Sequence, residues 1–174
     1  LSEVSSETLL RAHKVHPVAS LQSEYSLWHR DVEKTILPVC RELAVSLIPY
    51  CPLGRGYLTG TAKSVADLAE EDYRRGIPRF ESEARARNQQ WVQRLIRLSR
   101  KSGHTPAQLS LAWLLAKSPS IVPIPGMKRR QYLKENAAAA GIQFSQALMD
   151  ELDALGRKVS GERHNAQNLL FVDQ

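Results

Sequence analysis

Short apolar runs alternate with longer helical patterns along this chain. The runs lie at Leu1, Val18 to Leu21, Val45 to Ile48 and Ile121 to Ile124, and the first is only a stub. Continuous apolar runs of this length are typical of strands that are buried on both faces, as parallel strands are when helices cover the sheet. The alternation therefore predicts an α/β fold with a parallel sheet or barrel and right-handed crossovers.

The helical patterns have recognisable start and stop signals. Ser5 can cap a helix over residues 6–14, and Asp31 can cap the next helix. Pro38 lies inside the apolar stripe of that second helix and implies either a kink or a later start. Residues 105–108, Thr-Pro-Ala-Gln, combine a capping box with proline at the first helical position. Three more helices are predicted: one that ends near Gly103, one that carries Glu135 and one that is capped by Ser145.

One domain over residues 1–174 is expected, since a chain of this length can bury its own core. The connection over residues 51–81 is too long for a routine link, so we interpret it as a loop over a ligand, with a disordered insert as the alternative. Residues 145–174 are expected to form the last helix and a tail. The chain starts at Leu1 without methionine, which indicates either a processed or trimmed terminus or a fragment of a longer protein.

Composition and charge narrow the class of protein. The 174 residues are 43% hydrophobic and 24% charged, with a net charge of +6 and a pI near 9.5. The cations are scattered without interleaved aromatics, so nucleic acid is not expected as a partner. Cys40 and Cys51 suit a reducing compartment, and no signal peptide or apolar run of roughly 20 residues is recognised. We expect a cytoplasmic protein without membrane contact.

The segment 121–136 carries the strongest functional signal. An apolar run ends at Pro125-Gly126, three cations follow at Lys128 to Arg130, and then a helix opens. A glycine turn, cations and the positive end of a helix dipole together favour a phosphate group, and hence a bound nucleotide. By contrast, His13 and His16 lack a third ligand, so no metal is expected, and no catalytic constellation is recognised.

Two other predicted strand ends have features of ligand contacts. Gly54, Gly56 and Gly60 follow the third run and allow close approach of the backbone to a ligand, although their spacing does not fit a Rossmann fingerprint. A glycine-rich turn without a ligand is the alternative. Gln22 ends the second run, where α/β folds place ligand contacts, and its alternative role is to satisfy a neighbouring loop backbone.

Four segments in order resemble the aldo-keto reductases. They are QSEYSLWHR (22–30), PYCPLGRGYLTG (49–60), GHTPAQLSLAWLL (103–115) and IVPIPGMKRRQYLKEN (121–136), and residues 161–164, GERH, are similar to a C-terminal GERY of the same family. The resemblance implies a (β/α)8 TIM barrel that reduces carbonyl compounds with NADPH. It places this chain in the C-terminal half, with strands 6–8, the end of strand 5 and flanking helices. The family's catalytic Asp, Tyr, Lys and His lie on the first four βα units, so no catalytic residue is expected here.

The resemblance also implies an NADP site. Ser2 and Gln22 would hold the nicotinamide carboxamide, and Tyr50 would stack on the nicotinamide ring. The loop along the pyrophosphate would contain Cys51, Pro52, Leu53, Gly54 and Arg55, although the family usually has Ser where Cys51 stands. Arg79 would belong to a loop that closes over the diphosphate. The 2′-phosphate pocket would contain Gly126 and Lys128, and the adenosine contacts would be Tyr132, Glu135 and Asn136. Separately, because Trp28 comes just past the C-terminal end of the second run, we expect it to line the substrate mouth.

Two other classes of function stay open at this point. A half-barrel would expose strand edges and an apolar face, so we expect self-association of the isolated chain. A non-catalytic half-barrel that binds a nucleotide or a protein is the main alternative to an enzyme that reduces a small carbonyl substrate. Nucleic acid binding through the net charge is the third possibility.

Overall fold

The computed structural model of the chain describes residues 1–61, 68–155, 159–165, 167, 172 and 173. Two parallel strands form the centre of its sheet, β1 (Ser20–Glu24) and β2 (Ser46–Tyr50). Their register pairs Ser20 with Ser46 and Glu24 with Tyr50, so both strands end at the same edge. The parallel α/β architecture that the hydrophobic pattern predicts is confirmed.

Single bridges extend this sheet on both sides. Ser2 bridges to Gln22, and Ile121 bridges to Leu47, both in parallel orientation. The predicted strand Ile121 to Ile124 is therefore wrong as a full strand, although the Ile124 N–H still donates to the Pro49 carbonyl at 3.1 Å. Pro49 has no backbone N–H to donate to residues 121–124, so the ladder of hydrogen bonds between this segment and β2 ends there.

The boundaries of β1 also differ from the predicted run, Val18 to Leu21. Val18 lies outside the sheet, where its N–H donates to Nδ1 of His13 at 3.2 Å. At the other end, Ser23 and Glu24 continue the strand because they pair with residues of β2. The pairing partner thus extends β1 across polar residues and places the Glu24 carboxylate at the strand end.

Six helices cover the sheet among the described residues. Their bounds are α1 Ser6–Val15, α2 Ile36–Glu42, α3 Ser82–Ser102, α4 Pro106–Lys117, α5 Arg130–Ala138 and α6 Gln146–Leu155. The caps predicted at Ser5 and Thr105 are confirmed, since Ser5 accepts from the Thr8 N–H and Thr105 forms a capping box with Gln108. The cap predicted at Asp31 is wrong, because Asp31 starts a separate 3-10 turn and Thr35 precedes α2. Pro38 marks a later start rather than a kink, because α2 begins at Ile36 and proline then sits in the first turn, where its missing N–H costs no helical bond.

The core lies between the sheet and the helices, and its fully buried side chains come from both layers. They include Leu9, Leu21, Leu47, Leu95, Leu109, Trp113 and Leu152.

The connection over residues 51–81 contains 3-10 turns at Gly54–Thr59, Tyr73–Gly76 and Pro78–Phe80, and its residues 62–67 lie outside the described part. Much of the tail that is predicted within residues 145–174 also lies outside the described part of the chain. None of the helices described is both long and apolar enough to cross a membrane.

Candidate functional site

The carboxyl ends of the parallel strands meet at one edge of the sheet, which is where ligands bind in open α/β folds. Ser2 is the bridge partner of Gln22, and the Glu3 N–H donates to the Gln22 carbonyl at 2.9 Å. Tyr50 ends the neighbouring strand, and its side chain is half-buried. The structure therefore sets Ser2 beside Gln22, two residues before the end of β1, whereas Tyr50 ends β2 opposite Glu24.

The loop after β2 is held in a tight, unusual backbone shape. Cys51, Gly54, Arg55 and Gly56 all have positive φ angles, of 48°, 55°, 55° and 92°. A Cβ atom on Gly54 would lie 2.6 Å from Nε1 of Trp28, so a side chain there would collide with the indole ring. The φ angle thus favours glycine at position 54, and the close approach of Trp28 excludes a side chain there.

The rest of this loop is packed against the protein. Pro52 is buried, and burial raises the pKa of the half-buried Cys51 thiol. Leu53 packs against a small cluster that includes Ala139, which follows α5. The loop therefore joins the strand-end edge to the segment that carries the predicted adenosine contacts.

A buried ion pair fixes the loop to the end of β1. Nη1 and Nη2 of Arg55 each donate to one carboxylate oxygen of Glu24 at 2.9 Å. The Arg55 side chain is 4% exposed and the Glu24 side chain is 0% exposed. Burial alone would raise the pKa of Glu24, but hydrogen bonds from Arg55 and the charges of His29 and Arg163 hold it below its ordinary value. Glu24 is therefore ionised at neutral pH.

Arg163, on the described part of the tail, joins the same group of charges. Its Nη2 lies 2.7 Å from Oε2 of Glu3, and its Nη1 lies 3.8 Å from Oε2 of Glu24. The same Nη1 donates to the Tyr50 hydroxyl at 3.2 Å, and Nε2 of His164 lies 3.4 Å from that hydroxyl. We call Glu3, Glu24, Arg55, Arg163 and His164 the strand-end charge network.

Sequence reasoning missed most of this network. The one signal that could have located it is the combination of a charged residue, Glu24, directly after an apolar strand and the GERH segment at 161–164. A buried carboxylate requires a cation nearby, and Arg163 is such a cation.

Arg79 lies in the interior rather than on the surface of its loop. Its side chain is buried, its Nε donates to the Gly161 carbonyl at 2.9 Å, and its guanidinium lies 5.5 Å from the Trp28 ring centre. Its Nη1 is buried without a hydrogen-bond partner among the described residues. Burial lowers the pKa of Arg79, which is the expected effect on a guanidinium held away from water. Arg79, Trp28 and His29 line a cavity of about 630 Å³.

The predicted adenosine contacts lie around the start of α5. Gly126, Lys128 and Tyr132 are exposed, whereas Asn136 is buried and its Nδ2 donates to the Gly126 carbonyl at 3.4 Å. Oε1 of Glu135 accepts from the Thr105 hydroxyl at 2.6 Å, which ties α5 to α4. No side chain caps the first turn of α5, so its backbone N–H groups stay open at the point where the cations cluster.

Another cavity, of about 710 Å³, lies beside the strand-end charge network. Its lining includes Glu3, Glu24, His29 and Arg163. Within the described parts of the chain, no three His, Cys, Asp or Glu side chains are grouped as metal ligands would be. Most of the charged side chains that line this cavity are carboxylates.

Comparisons of the sequence with known proteins identify one family. The sequence model of the Aldo/keto reductase family matches residues 1–157. Aldo-keto reductase str7 of Strobilurus tenacellus is 39% identical over 178 residues, which cover 99% of this chain and 53% of the relative. The chain thus spans about half the length of this curated relative.

Solved structures agree with this comparison. A thermostable aldo-keto reductase in complex with the inhibitor epalrestat gives a TM-score of 0.64 at 29% identity, over 89% of this chain and 47% of its own. A glycerol dehydrogenase of Gluconobacter oxydans gives a TM-score of 0.81 at 20% identity, over 91% of this chain and 50% of its own, and its likeness shows the fold alone. Because the family's sequence model covers most of the chain and a curated relative is similar along nearly all of it, this chain belongs to the aldo/keto reductase family of oxidoreductases.

Proposed function

We propose that this chain is the C-terminal, cofactor-binding half of an NADP-dependent reductase that converts aldehydes or ketones to alcohols. The observation that carries the proposal is the hydrogen bond from the Ile124 N–H to the Pro49 carbonyl, next to Tyr50 at the end of β2. It sets the segment that leads to the basic start of α5 beside the sheet that contains Ser2, Gln22 and Tyr50. The proposal also rests on the chain's match to about half of its relatives' length.

The proposal assigns one part of the dinucleotide to each group of residues. Lys128 and the open first turn of α5 would hold the 2′-phosphate, since cations and free backbone N–H groups both favour a phosphate. Arg79 would contact the diphosphate, because its buried Nη1 lacks a hydrogen-bond partner among the described residues and burying a charge without a partner is costly. Ser2 and Gln22 would hold the carboxamide, and Tyr50 would stack on the ring.

The bound cofactor would supply the hydride, and this chain would supply its orientation. The reaction also needs a proton donor, and the tyrosines of this region do not fit that role. Tyr25 is fully buried and its hydroxyl donates to Glu33 at 2.7 Å. Burial, and after it the Glu33 carboxylate, raise the pKa of Tyr25 far above its ordinary value. We therefore assign the Asp, Tyr, Lys and His of the family's catalytic group to sequence outside this chain.

Titration of the purified chain with NADPH and NADH, followed by nicotinamide fluorescence, tests the cofactor assignment. NADPH should bind more tightly than NADH, and K128M should reduce this preference while leaving NADH binding unchanged, because NADH lacks the 2′-phosphate. Equal binding of both nucleotides by the unmodified chain would contradict an NADP site. Turnover of an aromatic aldehyde by the isolated chain would contradict the assignment of the catalytic group to other sequence.

A non-catalytic binding module is the second candidate function. The observation in its favour is a set of exposed apolar side chains, with Val122 and Ile124 beside β2 exposed by 52% and 46% and Leu133 on α5 exposed by 48%. Exposed apolar surface at an open strand edge favours association with another protein chain. Concentration-dependent oligomerisation without NADPH binding would favour this alternative, and tight, salt-dependent binding of duplex DNA would favour neither.

A further inference from the structure

We infer that Arg163 is a positioning residue that holds the Tyr50 ring in place for the nicotinamide, so that the tail segment 161–164 is part of the cofactor site. The inference rests on the proposed function. It goes further because it assigns a role to a tail residue that reaches the cofactor through Tyr50.

The Tyr50 hydroxyl is held from two sides by consecutive tail residues. Nη1 of Arg163 lies 3.2 Å from the hydroxyl oxygen, and Nε2 of His164 lies 3.4 Å from it. A guanidinium can only donate hydrogen bonds, so the hydroxyl oxygen accepts from Arg163. Its own proton is then free to be donated to Nε2 of His164. Burial lowers the pKa of His164, and the neutral ring accepts at Nε2 when its proton is on Nδ1.

Arg163 is itself oriented by two carboxylates. Its Nη2 is 2.7 Å from Glu3, and its Nη1 is 3.8 Å from Glu24. These carboxylates are fixed in turn, since Glu3 accepts from the Glu24 N–H at 2.8 Å and Glu24 binds both terminal nitrogens of Arg55. The Arg163 side chain is 12% exposed, so it is largely shielded from competing water. The strand-end charge network therefore fixes the guanidinium on Tyr50.

Fixing the hydroxyl fixes the plane of the Tyr50 ring. A ring that must stack on a ligand loses rotational freedom on binding, and this loss weakens affinity unless the ring is already immobile. Arg163 removes that freedom before the cofactor arrives. Its loss should weaken binding of a ligand that contacts the ring and leave unchanged the binding of one that does not.

The experiment compares two ligands on the full chain. NADPH carries the nicotinamide, whereas adenosine 2′,5′-bisphosphate carries only the other end of the cofactor. We expect R163M and Y50F each to weaken NADPH binding by about three- to tenfold, the range for losing one pre-formed contact. Neither should change binding of the bisphosphate. The double variant R163M/Y50F should be no weaker than either single variant, because both remove the same hydrogen bond.

Two controls separate positioning from a general structural effect. R163K, which can still donate to the hydroxyl, should recover part of the affinity for NADPH, and R94M, on the exposed face of α3, should change neither ligand. Additive losses in the double variant, or equal losses for both ligands, would overturn the inference. If R163M does not fold, the Y50F variant alone tests the inference. Unchanged NADPH binding by Y50F would then overturn the inference. Failure of the unmodified chain to bind the bisphosphate would instead overturn the proposed function, and this inference with it.

Discussion

Arg55 and Glu24 form a buried ion pair in which two guanidinium nitrogens bind the two carboxylate oxygens at 2.9 Å. The two residues are 31 positions apart in sequence. The pair connects the end of β1 to a loop whose backbone is in a left-handed conformation at Arg55 itself, with a φ angle of 55°. It therefore holds the glycine-rich loop against the sheet edge at which we place the cofactor.

Removal of Arg55 should destabilise the chain strongly. R55M leaves the carboxylate of Glu24 buried without its main partner, and such a change costs about 3–5 kcal/mol in the free energy of unfolding. The double variant E24Q/R55M should lose less than R55M, because no buried charge is then left without that partner. Urea denaturation measures both. K34M, which removes the exposed partner of Asp31, should cost less than about 1 kcal/mol, and a similarly small loss in R55M would contradict the burial argument.

Gly54 should be intolerant of a side chain for two separable reasons. G54A combines a positive φ angle with a Cβ that would lie 2.6 Å from Trp28, so we expect a loss of about 2–4 kcal/mol in the free energy of unfolding. Gly103 has a φ angle of 73° but open space around its Cβ position, so G103A should show only the backbone part, about 1 kcal/mol. Thermal unfolding of both variants gives the difference, and equal losses would show that Trp28 yields to the added methyl.

Local signals were enough to predict the helices and the parallel sheet. Ser5 and Thr105 can be recognised as caps because capping depends on residues within one turn. The residues at which strands end could not be predicted from local signals, because hydrogen bonding to the neighbouring strand determines them. Pro49 interrupts the ladder to the fourth run, and the residues of β2 extend β1 as far as Glu24.

The candidate site was only partly predictable, for a similar reason. The resemblance to a family predicts roles for Gln22, Tyr50 and the loop that follows, and the structure has Gln22 and Tyr50 on neighbouring strands. The contact between Arg163 and Tyr50 joins residues 113 positions apart, and no local pattern encodes it. Arg79 was predicted on a loop over the diphosphate, and sequence alone did not indicate that its side chain is buried against Trp28.

The capping box of α4 should also matter for the α5 contacts. The Thr105 hydroxyl accepts from the Gln108 N–H and donates to Glu135 at 2.6 Å. T105A removes both bonds, and we expect a loss of about 1–2 kcal/mol in the free energy of unfolding. T105S keeps the hydroxyl and should stay close to the unmodified chain in urea denaturation. A loss in T105S as large as that in T105A would show that the methyl group, rather than the hydroxyl, is what stabilises this junction.

His29 should make the stability of the chain depend on pH. Burial lowers its pKa to about 4, with the nearby charge of Glu24 opposing the shift and those of Arg163 and Arg79 adding to it. The unfolded chain takes up a proton on this residue below its ordinary pKa of about 6.5, whereas the folded chain resists until about pH 4. The stabilisation is thus complete above about pH 6.5 and is lost as the pH falls towards 4. The loss should reach about 3 kcal/mol in the free energy of unfolding.

H29Q tests this assignment because glutamine is neutral throughout this pH range. Urea denaturation at pH 7.5 and pH 5 should show a smaller pH-dependent loss in H29Q than in the unmodified chain. Part of the pH dependence of stability should persist in H29Q, since burial also lowers the pKa of His164 and its stabilisation is likewise lost as the pH falls. The carboxylates of Glu24 and Asp31 have lowered pKa values, so they release their stabilisation at lower pH than His29 does. An unchanged pH dependence in H29Q would therefore assign the effect to His164, and H164Q would then remove it.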